Sequence, residues 1–274
     1  MALPVVAVLS RIPILIALPL FILLFAAVGV VAHAIFRRFV SQKTLIEGHE
    51  VAGFIVAVVG VLYSVVIGFL VGAVWTDFSA AQETSNAEAG YISDAYNLAS
   101  LLVQPQHEHL QRLIARYAIE VRDVELSPRP EKRADDSVAL LLRAVQLTAT
   151  MTPPPESAGF GRILENNTIR AEVLDSLRHV GDSRRQRLVQ SQDRLPPGML
   201  EALTLGAVMV IAFAFFFGVE GFFKQMMMTA LLAGSIGLFF GLVIELSLPY
   251  SGAVEISRDA WNDVIANNHF DRLL

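Results

Sequence analysis

The chain has 274 residues, of which 54% are hydrophobic and 17% charged, with a formal net charge of −5 and no cysteine. The lack of cysteine excludes disulfides, thiolate chemistry, zinc fingers and iron–sulfur ligation by this chain. With an acidic balance and no basic block, the chain lacks the electrostatic footprint of a nucleic-acid binder.

Four apolar stretches dominate the sequence, from Ile12 to Phe36, Val51 to Trp75, Met199 to Val219 and Met226 to Leu248. Each has 21 or more residues. At about 1.5 Å of rise per residue, each is long enough to cross a hydrocarbon core of about 30 Å. The pattern predicts an all-α membrane protein: four transmembrane helices, with a helical soluble domain inserted between the second and third. The expected limits are 1–76 for the first two spans, 77–197 for the extramembrane domain, 198–248 for the last two spans, and 249–274 for a turn and short helix.

In the first stretch, Ala32-His33-Ala34 looks like a signal-peptide cleavage site. The apolar run exceeds the usual h-region of about 7–15 residues, and Arg37 and Arg38 follow it, so an anchored helix is expected. Pro13 fits a first turn, whereas Pro19 is expected to kink the helix or mark its real start. The second span carries no charge from Val51 through Thr76 and no proline.

No turn signal follows the second span. Instead Phe78, Ala81, Ser85, Glu88, Ile92, Ala95, Ala99 and Leu102 recur at alternating spacings of three and four. This predicts one helix from Val51 to about Val103, about 80 Å long, whose second half offers a narrow seam of small residues. Glu88 on that seam favours a bundle contact over a coiled coil.

A further helix is expected from Gln106 to Glu125, with Leu110, Leu113, Ile114, Tyr117, Ala118, Val121 and Val124 on one face, ended by Pro128 and Pro130. Asp135 or Asp136 can cap the next, with Val138, Leu141, Leu142 and Val145 inward. Pro153-Pro154-Pro155 reads as a rigid linker. A long helix follows from about Phe160 to Gln192, with Ile163, Leu164, Ala171, Leu174, Leu177 and Leu188 as its apolar residues. After the fourth span, Pro249 to Gly252 forms a turn, and Ser257 can cap a closing helix that carries Trp261, Val264 and Ile265.

In the second span, Gly60, Ser64, Gly68 and Gly72 fall at four-residue intervals, making a small-residue groove along one helix face. Such a groove admits another helix closely, either within the subunit or between subunits around a pore. Beside it runs an apolar stripe of Val61, Val65 and Phe69, which fits a lipid-facing surface, a core, or a pore constriction. Gly234, Gly237 and Gly241 repeat the small-residue theme in the fourth span.

Ionisable groups lie only toward span ends: His33, Glu220, Lys224 and Glu245, with Glu220 and Lys224 four apart and expected to pair. A carboxylate relay for protons is therefore not expected. His107-Glu108-His109 lacks metal-site spacing and reads as a solvated face, and Gly159-x-Gly161 lacks the rest of a phosphate loop. The charged turn Asp182 to Arg187 can pair with acidic residues of the first long helix or with anionic lipid heads. No nucleophile–base pair stands out, so no enzyme activity, cofactor or metal is expected. Basic residues near span ends are slightly in excess on the side of Arg11, Arg184, Arg185, Arg187, Arg194 and Arg258, which predicts cytoplasmic termini and helical domain.

Several residues, by order and spacing together, resemble the bacterial bestrophin-like domain family. They are Glu50-x-x-Gly53, Gly60 through Phe69, Trp75-x-x-Phe78, Glu88, Tyr96-x-Leu98-Ala99, Arg112, Tyr117, Arg184-x-x-Arg187-Leu188, Leu195-Pro196 and Pro249 through Gly252. Ser247 and Leu248 stand where an acidic and a basic residue often precede the proline. The resemblance implies a multi-pass bacterial inner-membrane protein with four helices and an inserted helical domain. A weaker similarity, to bestrophin anion channels, implies a homo-oligomer with its second span around a pore. It would place the neck at Val61, Val65 and Phe69 and pass small anions. The acidic calcium cluster of animal bestrophins is absent, so no calcium gating is expected. The rival expectation is a non-conducting scaffold or sensor whose helical domain binds a partner.

Overall fold

The structure is a computed structural model that describes residues 13–40, 49–102, 106–126, 135–152, 155, 159–192, 197–216, 221–250 and 254–273. The described residues form eight α-helices: α1 (Ile14–Phe39), α2 (His49–Ala99), α3 (Gln106–Glu120), α4 (Asp135–Thr150), α5 (Phe160–Gln192), α6 (Pro197–Ala214), α7 (Phe222–Leu246) and α8 (Asp259–Asn267). A π-helical turn, Val121–Glu125, continues α3, and a 3₁₀ turn, Phe270–Arg272, follows α8. The chain is all-helical in these residues. It divides into two compact units, Met1–Phe78 with Arg194–Glu255, and Ser79–Asp193 with Ile256–Leu274.

The first unit holds α1, the first part of α2, α6 and α7. Among the described residues, three helices are long and apolar enough to cross a membrane: Ile14–Phe39, Gly53–Ala99 and Phe222–Leu246. In the remaining apolar stretch, expected to Val219, α6 ends at Ala214, and residues 217–219 lie outside the described residues. There Phe215 and Phe216 turn, their amides bonding the carbonyls of Ala212 and Phe213, three residues back. These tighter bonds replace the α-helical ones.

Pro13 caps the start of α1, its carbonyl accepting from the amides of Ile16 and Ala17. The helix then runs through Pro19, which therefore does not mark its start. Ala17, Phe21, Gly29 and His33 are its buried residues, at multiples of four, and they face α7. The approach is close enough to require glycine. A Cβ on Gly237 would lie 2.7 Å from the Phe21 carbonyl oxygen, and one on Gly241 2.7 Å from the Phe21 ring. The glycines of the fourth apolar stretch thus pack inside the chain. α2 turns Tyr63, Ile67, Leu70 and Val74 into a core with Leu203, Ala207 and Val210 of α6 and Ile236, Val243 and Leu246 of α7. The Tyr63 hydroxyl donates to the Leu203 carbonyl at 2.9 Å, and its ring lies over Gly206, where a Cβ would stand 2.5 Å away.

In the second unit, α2 ends at Ala99 rather than near Val103, closing with turn bonds from Ser100 to Asn97 and from Leu101 to Leu98. Of the predicted seam, Phe78 is half-buried and Ala81, Ser85, Glu88, Ile92, Ala95, Ala99 and Leu102 are buried. α3 buries Leu110, Leu113, Ile114, Tyr117 and Ala118, as its apolar face predicts.

α4 and α5 do not follow their apolar faces. α4 buries Ser137, Ala144 and Thr148 while Val138 and Leu142 are exposed. α5 buries Asn166, Val173, Leu177, Val180, Arg184 and Arg187 while Leu164 is exposed. Ser137, Arg184 and Arg187 on these inward faces find partners on other elements, while Thr148 bonds the Ala144 carbonyl of its own helix.

The C-terminal segment lies parallel to α2. Gln82 bonds both backbone groups of Ser257 through its amide, and the Trp261 indole N–H donates to Ser85 Oγ at 3.1 Å. Further on, Asn268 donates to Ser93 Oγ, and the buried Phe270 ring packs edge-on against Tyr96. Ser257 Oγ accepts from the Asp259 amide, holding the first turn of α8.

Candidate functional site

Within the first unit, one face of α2 meets no other element among the described residues. Tyr63, Ile67, Leu70 and Val74 recur at helical spacing and point into the core, which turns Val61, Val65 and Phe69 away. Those three are 62, 51 and 76% exposed. A Cβ built on Gly60, Gly68 or Gly72 would meet no atom within 4 Å. The Ser64 hydroxyl donates to the Val61 carbonyl of its own helix at 2.8 Å, so it is already engaged. Of the expected turn, Pro249 is buried and Gly252 lies outside the described residues. Glu220 also lies outside them, and with it the expected pair to Lys224.

A polar seam runs between α1 and α7. His33 is fully buried, with Nδ1 2.6 Å from Thr229 Oγ1, and its ring lies 4.8 Å from that of Phe215. One turn on, Arg37 Nη1 donates to Gln225 Oε1 at 2.8 Å.

The second unit encloses a buried ion cluster that sequence reasoning reached only in part. Arg187 of α5 donates through Nε to Glu88 Oε2 at 2.6 Å and through Nη2 to Glu88 Oε1 at 3.1 Å. The same Nη2 reaches Glu125 Oε2 at 2.5 Å. Arg184, one turn earlier, donates from Nη2 to Glu125 Oε1 at 2.7 Å and to Ser137 Oγ at 3.2 Å. Ser137 in turn donates to Glu125 Oε1, and the Tyr117 hydroxyl donates to Glu88 Oε1 at 2.7 Å. Two carboxylates face two guanidiniums, so the cluster is neutral and its oxygens are well supplied with donors.

The pairing of the charged α5 turn with Glu88 was legible from the seam. Glu125 and Ser137 were not, because nothing in their spacing marks them, and Tyr117 was read only as part of the apolar face of α3. Glu125 closes the π-helical turn. One residue wider than an α-turn, that turn re-aims the side chains that follow Val121.

The electrostatics follow from the geometry. Burial pushes the Tyr117 hydroxyl well above its usual pKa, and the adjacent Glu88 charge adds to this. Burial alone raises the Glu125 carboxyl, but Arg187, the Ser137 hydrogen bond and Arg184 outweigh it and hold the group below the usual carboxylate range. Burial lowers Arg187, but Glu88 and Glu125 raise it further, so it stays charged. Chemically, the cluster ties α2, α3, the π-turn, α4 and α5 together.

His107 is half-buried and His109 exposed, and no group of three or more His, Cys, Asp or Glu suited to a metal occurs among the described residues.

The fold and its apolar helices define a helical integral membrane protein. The bestrophin-like domain model matches residues 23–261, and the chain belongs to the bestrophin-like family. Solved structures share the fold. A bacterial bestrophin homolog from Klebsiella pneumoniae superposes with a TM-score of 0.57 at 13% identity, covering 93% of this chain and 97% of that one. A single-site variant of the Klebsiella pneumoniae homolog gives 0.59 at 12% identity, covering 92% and 99%. A crystallised membrane protein variant gives 0.62 at 13%, covering 93% and 98%. No curated protein matches the sequence.

Proposed function

We propose that this bestrophin-like membrane protein is an oligomeric anion channel of the bacterial inner membrane, with α2 of each subunit around the pore. In this reading four helices span the bilayer, α6 with the residues after it being the third. Residues 77–197 form the extramembrane domain, joined by the C-terminal helix, and the domain and both termini are cytoplasmic.

The observation that carries the proposal is the unpartnered face of α2. Val61, Val65 and Phe69 are more than half exposed while the opposite side of the same helix is buried. In an oligomer that face meets other copies, with the Gly60–Ser64–Gly68–Gly72 groove as the contact and the apolar stripe as the neck. An apolar ring of this kind gates by dewetting. Ser64 spends its hydroxyl on Val61, so selectivity would rest on neck width and on backbone groups.

The test is halide flux into liposomes holding the purified protein. Phe69→Ala is expected to raise flux by widening the neck. Well-folded protein with no flux over varied pH and voltage would favour the second reading, a non-conducting scaffold or sensor. That reading draws on Phe160 and Leu164 of α5, which leave large apolar side chains exposed on the second unit.

A further inference from the structure

We propose that a cleft between α1 and α6 holds an acyl chain of a bilayer phospholipid, whose anionic headgroup sits at Lys224. The cleft has a volume of ≈ 390 Å³ and runs along α1 from Leu24 to Ala32 and along α6 from Thr204 to Phe215. That is about 12 Å of helix on the α1 side. Its walls are apolar except for Thr204, and the Thr204 hydroxyl donates to the Leu200 carbonyl of its own helix at 2.7 Å. A polar solute or a water would find no free donor there, and a water needs two to four polar partners to stay.

The rim residues Val28 and Val208 are exposed, so the cleft opens on the outside of a unit built from membrane-crossing helices. In that setting the surrounding medium is hydrocarbon. An empty cleft forfeits the dispersion contacts that a lipid chain supplies.

The headgroup end is set by the pairing of α1 with α7. The bond from Arg37 to Gln225 fixes the level of the two helices, which puts Lys224, the residue before Gln225, at the end where Phe36 packs edge-on to Phe216 and tilted against Phe215. Lys224 is exposed and makes no hydrogen bond or ion pair among the described residues. A cation at that level favours an anion beside it, and a lipid phosphate is the anion a membrane surface provides. Arg37, level with Gln225, lies about 7.5 Å along the helix from Ala32, the near end of the cleft, a span that one lipid covers. The rings of Phe36, Phe215 and Phe216 form a collar beside which the chain would enter.

The experiment uses the full chain in phosphatidylcholine vesicles doped with phosphatidylglycerol carrying a diazirine on one acyl chain. Mass spectrometry of the photo-adducts is expected to find them on Leu24–Ala32 and Thr204–Phe215, several-fold above those on the exposed face of α2. Val208→Trp, at an exposed rim position, and Ala212→Phe are each expected to cut the cleft adducts several-fold. Lys224→Gln is expected to abolish the preference for phosphatidylglycerol over an equally labelled phosphatidylcholine.

An even spread of adducts over the apolar surface, or cleft adducts unchanged by both bulky variants, overturns the site. Cleft adducts with no headgroup preference in the unmodified chain overturn the role of Lys224. The chain has no cysteine, so Val208→Cys gives a clean control: disulfide-linked dimers formed in membranes would assign the cleft to a second copy and overturn the lipid. None of these readouts depends on ion flux, so they stand apart from the channel proposal.

Discussion

Arg187 holds both oxygens of Glu88, 99 positions earlier in the chain, while its Nη2 also reaches Glu125. The side chains of Arg187, Glu88 and Glu125 are 3, 0 and 2% exposed. In so dry a site the charges cost much to bury and are tolerated only because each is matched.

Removing one partner should therefore be severe. Arg187→Ala is expected to destabilise the protein by about 3–5 kcal/mol, because two carboxylates are left buried with too few donors. The double variant Glu88→Leu with Arg187→Met should recover part of that loss. Chemical unfolding of the detergent-solubilised protein, followed by circular dichroism, reads both.

The same cluster sets a pH dependence. Glu125 has a folded pKa below its unfolded value, so its stabilising contribution is present above the ordinary carboxylate range. That contribution is lost as pH falls through the depressed folded value. Tyr117 acts at the other end, its folded pKa lying well above 10.0. The unfolded chain releases this proton first, so stability declines as pH rises beyond the ordinary tyrosine value. Melting temperatures should fall on both the strongly acidic and the alkaline side. Glu125→Gln should flatten the acidic limb and Tyr117→Phe the alkaline one, each from a lower starting stability.

Two glycines of similar sequence context should answer differently to one added methyl. At Gly237 a Cβ meets the Phe21 carbonyl oxygen at 2.7 Å, a backbone atom that cannot swing away. Gly237→Ala is expected to cost about 1–3 kcal/mol by overpacking. At Gly68 nothing lies within 4 Å, so Gly68→Ala should leave the isolated subunit as stable or up to about 1 kcal/mol more so, through helix propensity. Under the channel proposal, Gly68→Leu should lower the oligomeric state while the subunit stays folded. Size-exclusion chromatography with light scattering distinguishes these outcomes.

Trp261 is fully buried and its indole N–H is held by Ser85. Trp261→Ala is expected to cost about 3–5 kcal/mol. Amide hydrogen exchange should then rise along residues 256–273 and along the α2 stretch from Gln82 to Tyr96 that the C-terminal segment covers. Unchanged exchange along α2 would mean that the segment rests there without stabilising it.

How much of this was legible in the sequence varied by element, and for physical reasons. The membrane helices α1 and α7 could be read from the length of their apolar runs, and the seam from Ala81 to Leu102 because its burial follows its spacing of threes and fours. α4 was read partly on the wrong face, and of the apolar residues named on α5 only Leu177 is fully buried. Their inner faces carry Ser137, Arg184 and Arg187, whose polar groups are matched by partners 12 to 99 positions away in the chain. Hydrophobic periodicity has no term for such a match. The π-helical turn left no trace in spacing at all. Family membership was legible from ordered short motifs, whereas the roles given to Val61, Val65 and Phe69 rest on where α2 is left bare.

The facing of α1 and α7 has a mechanical consequence. Going along α1 by fours, Phe21, Gly29, His33 and Arg37 stand against Gly241, Ala233, Thr229 and Gln225, which step back along α7 by fours. A slide of one helical turn, about 5.4 Å, would disrupt this in either direction. One way sets His33 against Ala233 and Phe21 against Glu245; the other drives Phe25 onto Ala233 and Arg37 onto Gly221. The two helices are keyed to each other like the bit and wards of a lock. A rearrangement of the membrane unit must therefore carry them as one rigid piston, and it must find its freedom at α2 and α6 instead.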